Sequence, residues 1–331
     1  AAVWSREFTH AGFTGQDGVV PKVYDLAVDP DGALTAVGYF SWAGAKAIDA
    51  VVREGVDGWS SFVDWNGMEP PFEFSAVAWG PGGELALATH VQRLETFPPA
   101  PDPTGRILID RGAGMEVIAD FVGEIRRLAF FDGQLWAAGH MRLEDEHVGL
   151  AVWDGTSWSA PPGGPLGGEI PAAFELWIEN DTLWVGGSFD SIGGIDARRI
   201  ATWDGNTWTA HDLAFGAAVY AIERDVDGSL VVGGLIDPID DPSVGGIWKQ
   251  QIDGTWELLG GGVSHWFYSG VISDLEVFDG SLFAVGCFNR VGGGMEDPDG
   301  IPTEGGVARW NGASWEPYEG AGQTVWYDAW A

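Results

Sequence analysis

Basic residues and cysteine are what this chain has least of. Against 49 Asp and Glu there are only 16 Lys and Arg, leaving a formal charge of -33 at neutral pH. A surface of that sign repels nucleic acid and anionic membranes, while cations, basic proteins and neutral sugars are admitted. The same charge also keeps a surface hydrated with no partner at all. One cysteine, Cys287, excludes an intramolecular disulfide. No apolar run approaches membrane-spanning length and no heptad pattern appears, so membrane insertion is not expected. A phosphate-cradling Gly-rich loop, a nucleophile elbow, a zinc-protease helix and a dinucleotide fingerprint are also missing, which leaves no nucleotide cofactor to expect.

What is abundant is glycine and tryptophan, with 51 Gly and 19 Trp among 331 residues. Large rings fill the gaps between sheets, and glycines permit turns and close backbone approach. Residues 174–208, FELWIENDTLWVGGSFDSIGGIDARRIATWDGNTW, show how the two are used. Alternating apolar runs at 174–178 and 183–189 flank the turn pair Asn180-Asp181. A Gly-rich loop follows, then a run ending in Trp203, the turn Asp204-Gly205, and Trp208 opening a fourth run. Period-two alternation bounded by Asn/Asp-Gly turns predicts antiparallel hairpins.

The pattern repeats along the chain, with units at about 23–64, 73–121, 124–161, 173–212, 218–260 and 271–319. First turns at Gly32, Gly83, Gly133, Asp181, Gly228 and Gly280 are spaced 51, 50, 48, 47 and 52 residues apart. That period suits four-stranded blades and excludes helical solenoids. Residues 3–8 resemble a fourth strand and residues 324–330 a first strand. The expectation is therefore a single all-β propeller domain, 1–331, of six complete blades plus a partial seventh shared between the termini. The alternative is a six-bladed ring with packed tails.

The units resemble bacterial extracellular propeller repeats of the kelch-like, galactose-oxidase-like kind, written V-x-x-L…DG-x-L-x-V-G-G-x-F…GG…I-A-x-W-D-G-x-x-W. Residues 183–189, 201–205, Trp208, 282–288, 308–312 and Trp315 match most closely. The resemblance implies the fold and leaves function open, since such propellers serve as binding platforms, structural parts and occasional enzymes. A start at Ala1 without Met fits a mature chain freed of a leader, or a trimmed one, so a secreted or cell-surface location is expected.

In such a blade the fourth-to-first and second-to-third connections share one face, where sites are usually built. His10, His211 and His265 fall in the former, and His90, His140 and His147 in or beside the latter. Imidazoles with carboxylates suit a transition metal or proton transfer, so His140 and His265, with His90, His147 and His211, are metal candidates. Calcium is the other ion considered. Trp42, Trp65, Trp266 and Tyr268 are candidates for stacking on a sugar or peptide. Asp25, Glu175 and Asp274 share one first-strand position, where they would hold a cation, share a proton, or pair with Arg126 or Arg127. Trp59, Trp158, Trp208, Trp256 and Trp315 are expected to be blade-to-blade wedges. Two functions follow: a secreted binding or assembly module for protein, peptide or carbohydrate, alone or as part of a larger surface protein, or a metal-dependent enzyme or metal-binding protein.

Overall fold

The computed structural model describes residues 13–14, 21–43, 46–71, 73–89, 104–143, 146–211, 213, 218–236, 245–265, 268–293, 300–303 and 306–318. The expected terminal strands, and the seventh blade with them, lie outside these residues. Apart from a short 3-10 turn at Leu259–Gly261, the regular elements among the described residues are strands. Two compact units divide the chain: Ala1–Leu166 with Pro171–Leu176, and Gly167–Ile170 with Trp177–Ala331.

In the first unit, Lys22–Val28, Leu34–Tyr39, Val51–Gly55 and Gly58–Ser60 form a four-stranded meander in chain order. A seven-stranded sheet follows where the sequence predicts two separate four-stranded blades. The strand Met115–Phe131 belongs to both, pairing first with Thr104–Asp110 and then with Gln134–Leu143. At the expected boundary Val122 is paired on both sides, with Thr104 and Arg142. Gly123 there has φ of +111°, which glycine alone takes without strain, and no turn pair or proline interrupts the extended chain.

In the second unit, the strand Ala173–Glu179, whose first residues belong to the first unit, opens a sheet continued by Thr182–Gly187, Ile200–Trp203 and Trp208–Ala210. A second sheet contains Ala218–Arg224, Leu230–Leu235, Ile247–Gln250 and Trp256–Leu258. A third contains Val271–Phe278, Ser281–Cys287, Val307–Trp310 and Trp315–Pro317. Each runs in chain order, as the repeat predicts.

The first strands share an irregularity that the alternation alone does not announce. Their register against the second strand shifts between Val23 and Asp25, Phe74 and Ala76, Ile125 and Arg127, Val219 and Ala221, and Ile272 and Asp274. An extra residue at a fixed place is a β-bulge, which bends the strand and re-aims the following side chain. It also brings a first-strand carbonyl against the second strand. A Cβ on Gly38, Gly139, Gly234 or Gly286 would lie 2.0, 2.0, 2.2 and 2.0 Å from the carbonyl oxygens of Lys22, Glu124, Ala218 and Val271. At these four places no side chain survives that approach, so the glycine is the partner of the bulge, whereas Thr89 stands opposite the bulge of Phe74–Trp79.

The Asp-Gly pairs serve more than one turn. Asp132-Gly133 and Asp279-Gly280 have positive φ at both residues, as do Asn180 and Asp181, and they close two-residue hairpins. At Asp154, Asp204, Asp253 and Asn311 the side-chain oxygen instead accepts backbone N–H groups two or three residues on, at 2.7–2.9 Å. The Thr156 hydroxyl bond first, then the Ser157 and Thr156 N–H groups, hold the Asp154 carboxyl at about 2. These loops are Asx turns rather than mirror-image hairpins.

The tryptophans that open fourth strands divide into two groups. Trp59 and Trp315 are buried, the latter 1% exposed with its indole N–H donating to Leu259 O at 2.9 Å. Trp158, Trp208 and Trp256 are half-buried. Trp158 and Trp208 lie beside third-strand tryptophans, with Trp153–Trp158 at 6.4 Å and Trp203–Trp208 at 5.1 Å between ring centroids. Trp158, Trp208 and Trp315 each form a cross-strand indole pair at the third-to-fourth hairpin, Trp310–Trp315 at 5.3 Å. Trp315 is also buried with Ala221, Val231 and Ile247 of the preceding sheet, as a wedge requires, while Trp59 is buried with Ala36, Phe40 and Val52 of its own repeat.

Two stability measurements check this account. Trp315→Ala should cost about 3–5 kcal/mol in urea unfolding, as for other fully buried aromatics, with a clearly smaller loss for Trp208→Ala. Gly286→Ala should lose about 1–3 kcal/mol or more because the added carbon meets backbone, not a movable side chain. Equal costs for the two tryptophans, or a neutral Gly286→Ala, would contradict it.

Candidate functional site

At the sheet ends opposite the tight turns, the second-to-third connections carry their own short hairpins. Trp42–Ala43 pairs with Lys46–Ala47, Ser191–Ile192 with Ile195–Asp196, and Arg290–Val291 with Ile301–Pro302. Their closing bonds match: Ile48 N to Ser41 O at 2.9 Å, Ala197 N to Asp190 O at 3.0 Å, and Thr303 N to Asn289 O at 2.9 Å. Each hairpin begins just after a buried phenylalanine, Phe40, Phe189 or Phe288. Each also receives an incoming segment: Phe13–Thr14 on the first, Gly167 on the second and Val263–His265 on the third. The long-loop ends are therefore partly built of backbone-paired ribbon.

On this ribbon Trp42 stands 41% exposed. Trp65 is half-buried and stacks on Phe74 at 5.8 Å, within the apolar cluster around Val77 and Leu87. Tyr268 sits directly across from His265 in a two-strand pair. Trp266, His10 and His90 lie outside the described residues.

The first-strand carboxylates do different work in each unit. In the first unit, Asp25 Oδ1 accepts the Leu26 N–H at 3.0 Å and Oδ2 accepts the Val77 N–H at 2.9 Å. Arg127, at the same repeat position two sheets' worth of sequence later, lies 3.9 Å from Asp25 Oδ1 and 3.3 Å from Glu175 Oε2. Glu175 Oε1 also accepts the Leu176 N–H at 3.1 Å. The small Ala76 occupies this position between Asp25 and Arg127 in sequence. These bonds chain together the first strands at 22–28, 74–79, 115–131 and 173–176. Of the roles open to Asp25 and Glu175, the geometry matches pairing with Arg127, which orients the arginine as a brace.

Asp274, in the second unit, accepts the Leu275 N–H at 3.0 Å. One layer along its strand is Glu276, with Glu223 at the corresponding place on Ala218–Arg224. Burial, then the charges of Glu276, Asp274 and Glu179, push the Glu223 carboxyl up to about 7, against the bond from the Arg224 N–H. Burial and then Asp274 raise Glu276 as well. Sequence reasoning missed this layer. Its signal was Glu at a position where other units carry Ala27, Ala78, Ala129 and Trp177.

The described histidines occupy the expected sheet ends but not one site. His211 packs against Trp184 with ring centroids 4.6 Å apart and 35° between planes, and its Nε2 lies 3.0 Å from the Thr202 hydroxyl. His265 is half-buried, and burial lowers its pKa, favouring the neutral imidazole. His140 and His147 are exposed and come together, with ring centroids 5.9 Å apart. Among the described residues no group of three or more His, Cys, Asp or Glu is arranged to hold a metal ion.

No protein-family model matches the sequence, and no curated protein sequence matches it significantly. Solved structures do. A GH74 xyloglucanase from Xanthomonas campestris matches with TM-score 0.56 at 17% identity, over 93% of this chain and 45% of that one. The extracellular domain of a one-component system protein from B. thetaiotaomicron matches with TM-score 0.51 at 13% identity, over 83% of this chain and 32% of that one. The fold is of the β-propeller type. This propeller chain spans less than half the length of either structure, and the likeness extends to the fold alone. Among the described residues, no helix of the propeller is long and apolar enough to cross a membrane.

Two measurements test the inner-strand chemistry. Arg127→Ala removes the guanidinium beside two largely buried carboxylates and should cost about 3–5 kcal/mol in urea unfolding, with part of the loss recovered at acid pH. For Glu223 the folded value of about 7 exceeds the ordinary 4.5, so the native state holds the proton more tightly. Its stabilising contribution is complete below about 4.5 and is lost as pH rises through about 7. Glu223→Gln should therefore flatten the fall in thermal midpoint between pH 4.5 and 7 and raise it at pH 8. A lower midpoint at pH 8 would refute this assignment.

Proposed function

We propose that this propeller is a secreted or cell-surface binding or assembly module, taking a protein, peptide or carbohydrate partner on the long-loop ends of its sheets. The observation that carries the reading is the set of hairpins at those ends, with Trp42 presented 41% exposed on the first. An exposed indole on paired backbone loses little conformational freedom on contact, which is why tryptophan dominates recognition surfaces. The charge of -33 favours basic or neutral partners over nucleic acid. The kelch-like unit pattern supports the same class of role. We further propose that the termini supply a seventh blade, because residues 3–8 and 324–330 repeat fourth- and first-strand patterns. Consistent with a neighbouring sheet there, Val23, Leu26 and Val28 on the opening strand are 43%, 42% and 49% exposed, whereas the equivalent Phe74–Trp79 is buried along most of its length.

The test is binding to peptide and oligosaccharide arrays by the intact chain and by Trp42→Ala. The expected result is a ligand whose affinity falls about thirtyfold or more in the variant, the cost of removing a central interfacial tryptophan, at an unchanged thermal midpoint. Undiminished binding by Trp42→Ala would remove the first hairpin from the surface, and no ligand on either array would overturn the reading.

A further inference from the structure

We propose that His140 and His147 form a site for a borderline divalent transition ion, of the class of Zn²⁺, Ni²⁺ or Cu²⁺, on the ribbon of Gln134–Leu143 and Glu146–Trp153. The proposal does not depend on the partner-binding reading above.

The pairing arises from a defined defect in the ribbon. Ala138 pairs with Leu150 and Met141 with Val148, so Gly139 and His140 together oppose the single residue Gly149. Two residues against one is a bulge, and a bulge re-aims its side chains. The defect is held in place by crowding. A Cβ on Gly139 would meet Glu124 O at 2.0 Å, and one on Gly149 would meet Pro171 O at 2.6 Å, so neither glycine accepts a side chain. His147 pairs with Arg142 one step beyond the bulge, and the bulge turns the His140 ring toward it, 5.9 Å between centroids at 52° between planes.

That separation fits chelation. An ion held at about 2.1 Å by one nitrogen of each ring lies about 3.2 Å from each centroid, so centroid separations up to about 6.4 Å admit a shared ion. A tetrahedral N–metal–N angle corresponds to about 5.2 Å. The observed rings are within less than about 1 Å of that value, a distance covered by small side-chain rotations on an exposed ribbon. Imidazole nitrogens select the borderline ions over Ca²⁺ and Mg²⁺, which take oxygen ligands. Glu124, the direct cross-strand partner of His140 on its other side, contributes negative charge, and Arg142 positive charge beside His147. Two ring nitrogens leave coordination positions to water, so the ion would remain open to a further ligand.

The test is calorimetric titration of the intact chain with Ni²⁺ in the presence of millimolar Ca²⁺, which occupies weak carboxylate sites. Wild type should bind one equivalent. His140→Ala and His147→Ala should each weaken binding by roughly tenfold or more, since losing a direct ligand costs at least as much as losing a supporting one. His211→Ala, which removes a histidine of the second unit, should leave the titration unchanged. Because both residues of the pair are exposed, the thermal midpoints of their variants should match wild type. Absence of binding by wild type, binding undiminished in the double variant, or displacement of Ni²⁺ by Ca²⁺ would overturn the proposal.

Discussion

A first-strand carbonyl pressed against a second-strand glycine is the contact from which much of this architecture follows. The bulge recurs at one place on five first strands, and at Gly38, Gly139, Gly234 and Gly286 the facing residue must be glycine because a Cβ would stand about 2 Å from the oxygen. The bulge sets the direction of the next first-strand side chain, the place taken by Asp25, Arg127 and Asp274. In the ribbon at 134–153 a second bulge, again glycine-dependent, turns His140 toward His147. A backbone irregularity, not a propensity, therefore decides where the chemistry-bearing side chains point.

The polar groups on the first strands divide by what surrounds them. In the first unit an arginine stands among the carboxylates, and Asp25, Arg127 and Glu175 become a brace between strands distant in sequence. In the second unit Glu223 and Glu276 lie one layer further along their strands, and burial first, then neighbouring carboxylates, favours the protonated form of those two acids. The apolar counterpart is the tryptophan series, where the same cross-strand position is buried at Trp315 and half-buried at Trp158 and Trp208.

Much of this was legible in the amino acids. Turn pairs every fifty residues and alternating runs between them gave the meanders, because both signals are local and each strand follows its turn directly. The fused seven-stranded sheet was not legible, since the repeat period places a unit boundary between residues 121 and 124 and only pairing on both sides of Val122 shows that the strand continues. Trp65 read as a surface aromatic because its loop is polar, yet it lies on Phe74. The long-loop hairpins were visible only as Gly-rich stretches, though their phenylalanine and glycine spacing is common to residues 40–48, 189–197 and 288–303.

By itself the sequence determined the period, the strand order within each repeat, the acidic surface and the side of the sheets on which the histidines fall, all consequences of local pattern and composition. The tertiary structure alone decided which of those side chains meet. Partners such as Arg127 and Glu175, or His140 and His147, depend on bulges and strand register, and a one-residue shift in either moves a side chain to the other face of its sheet.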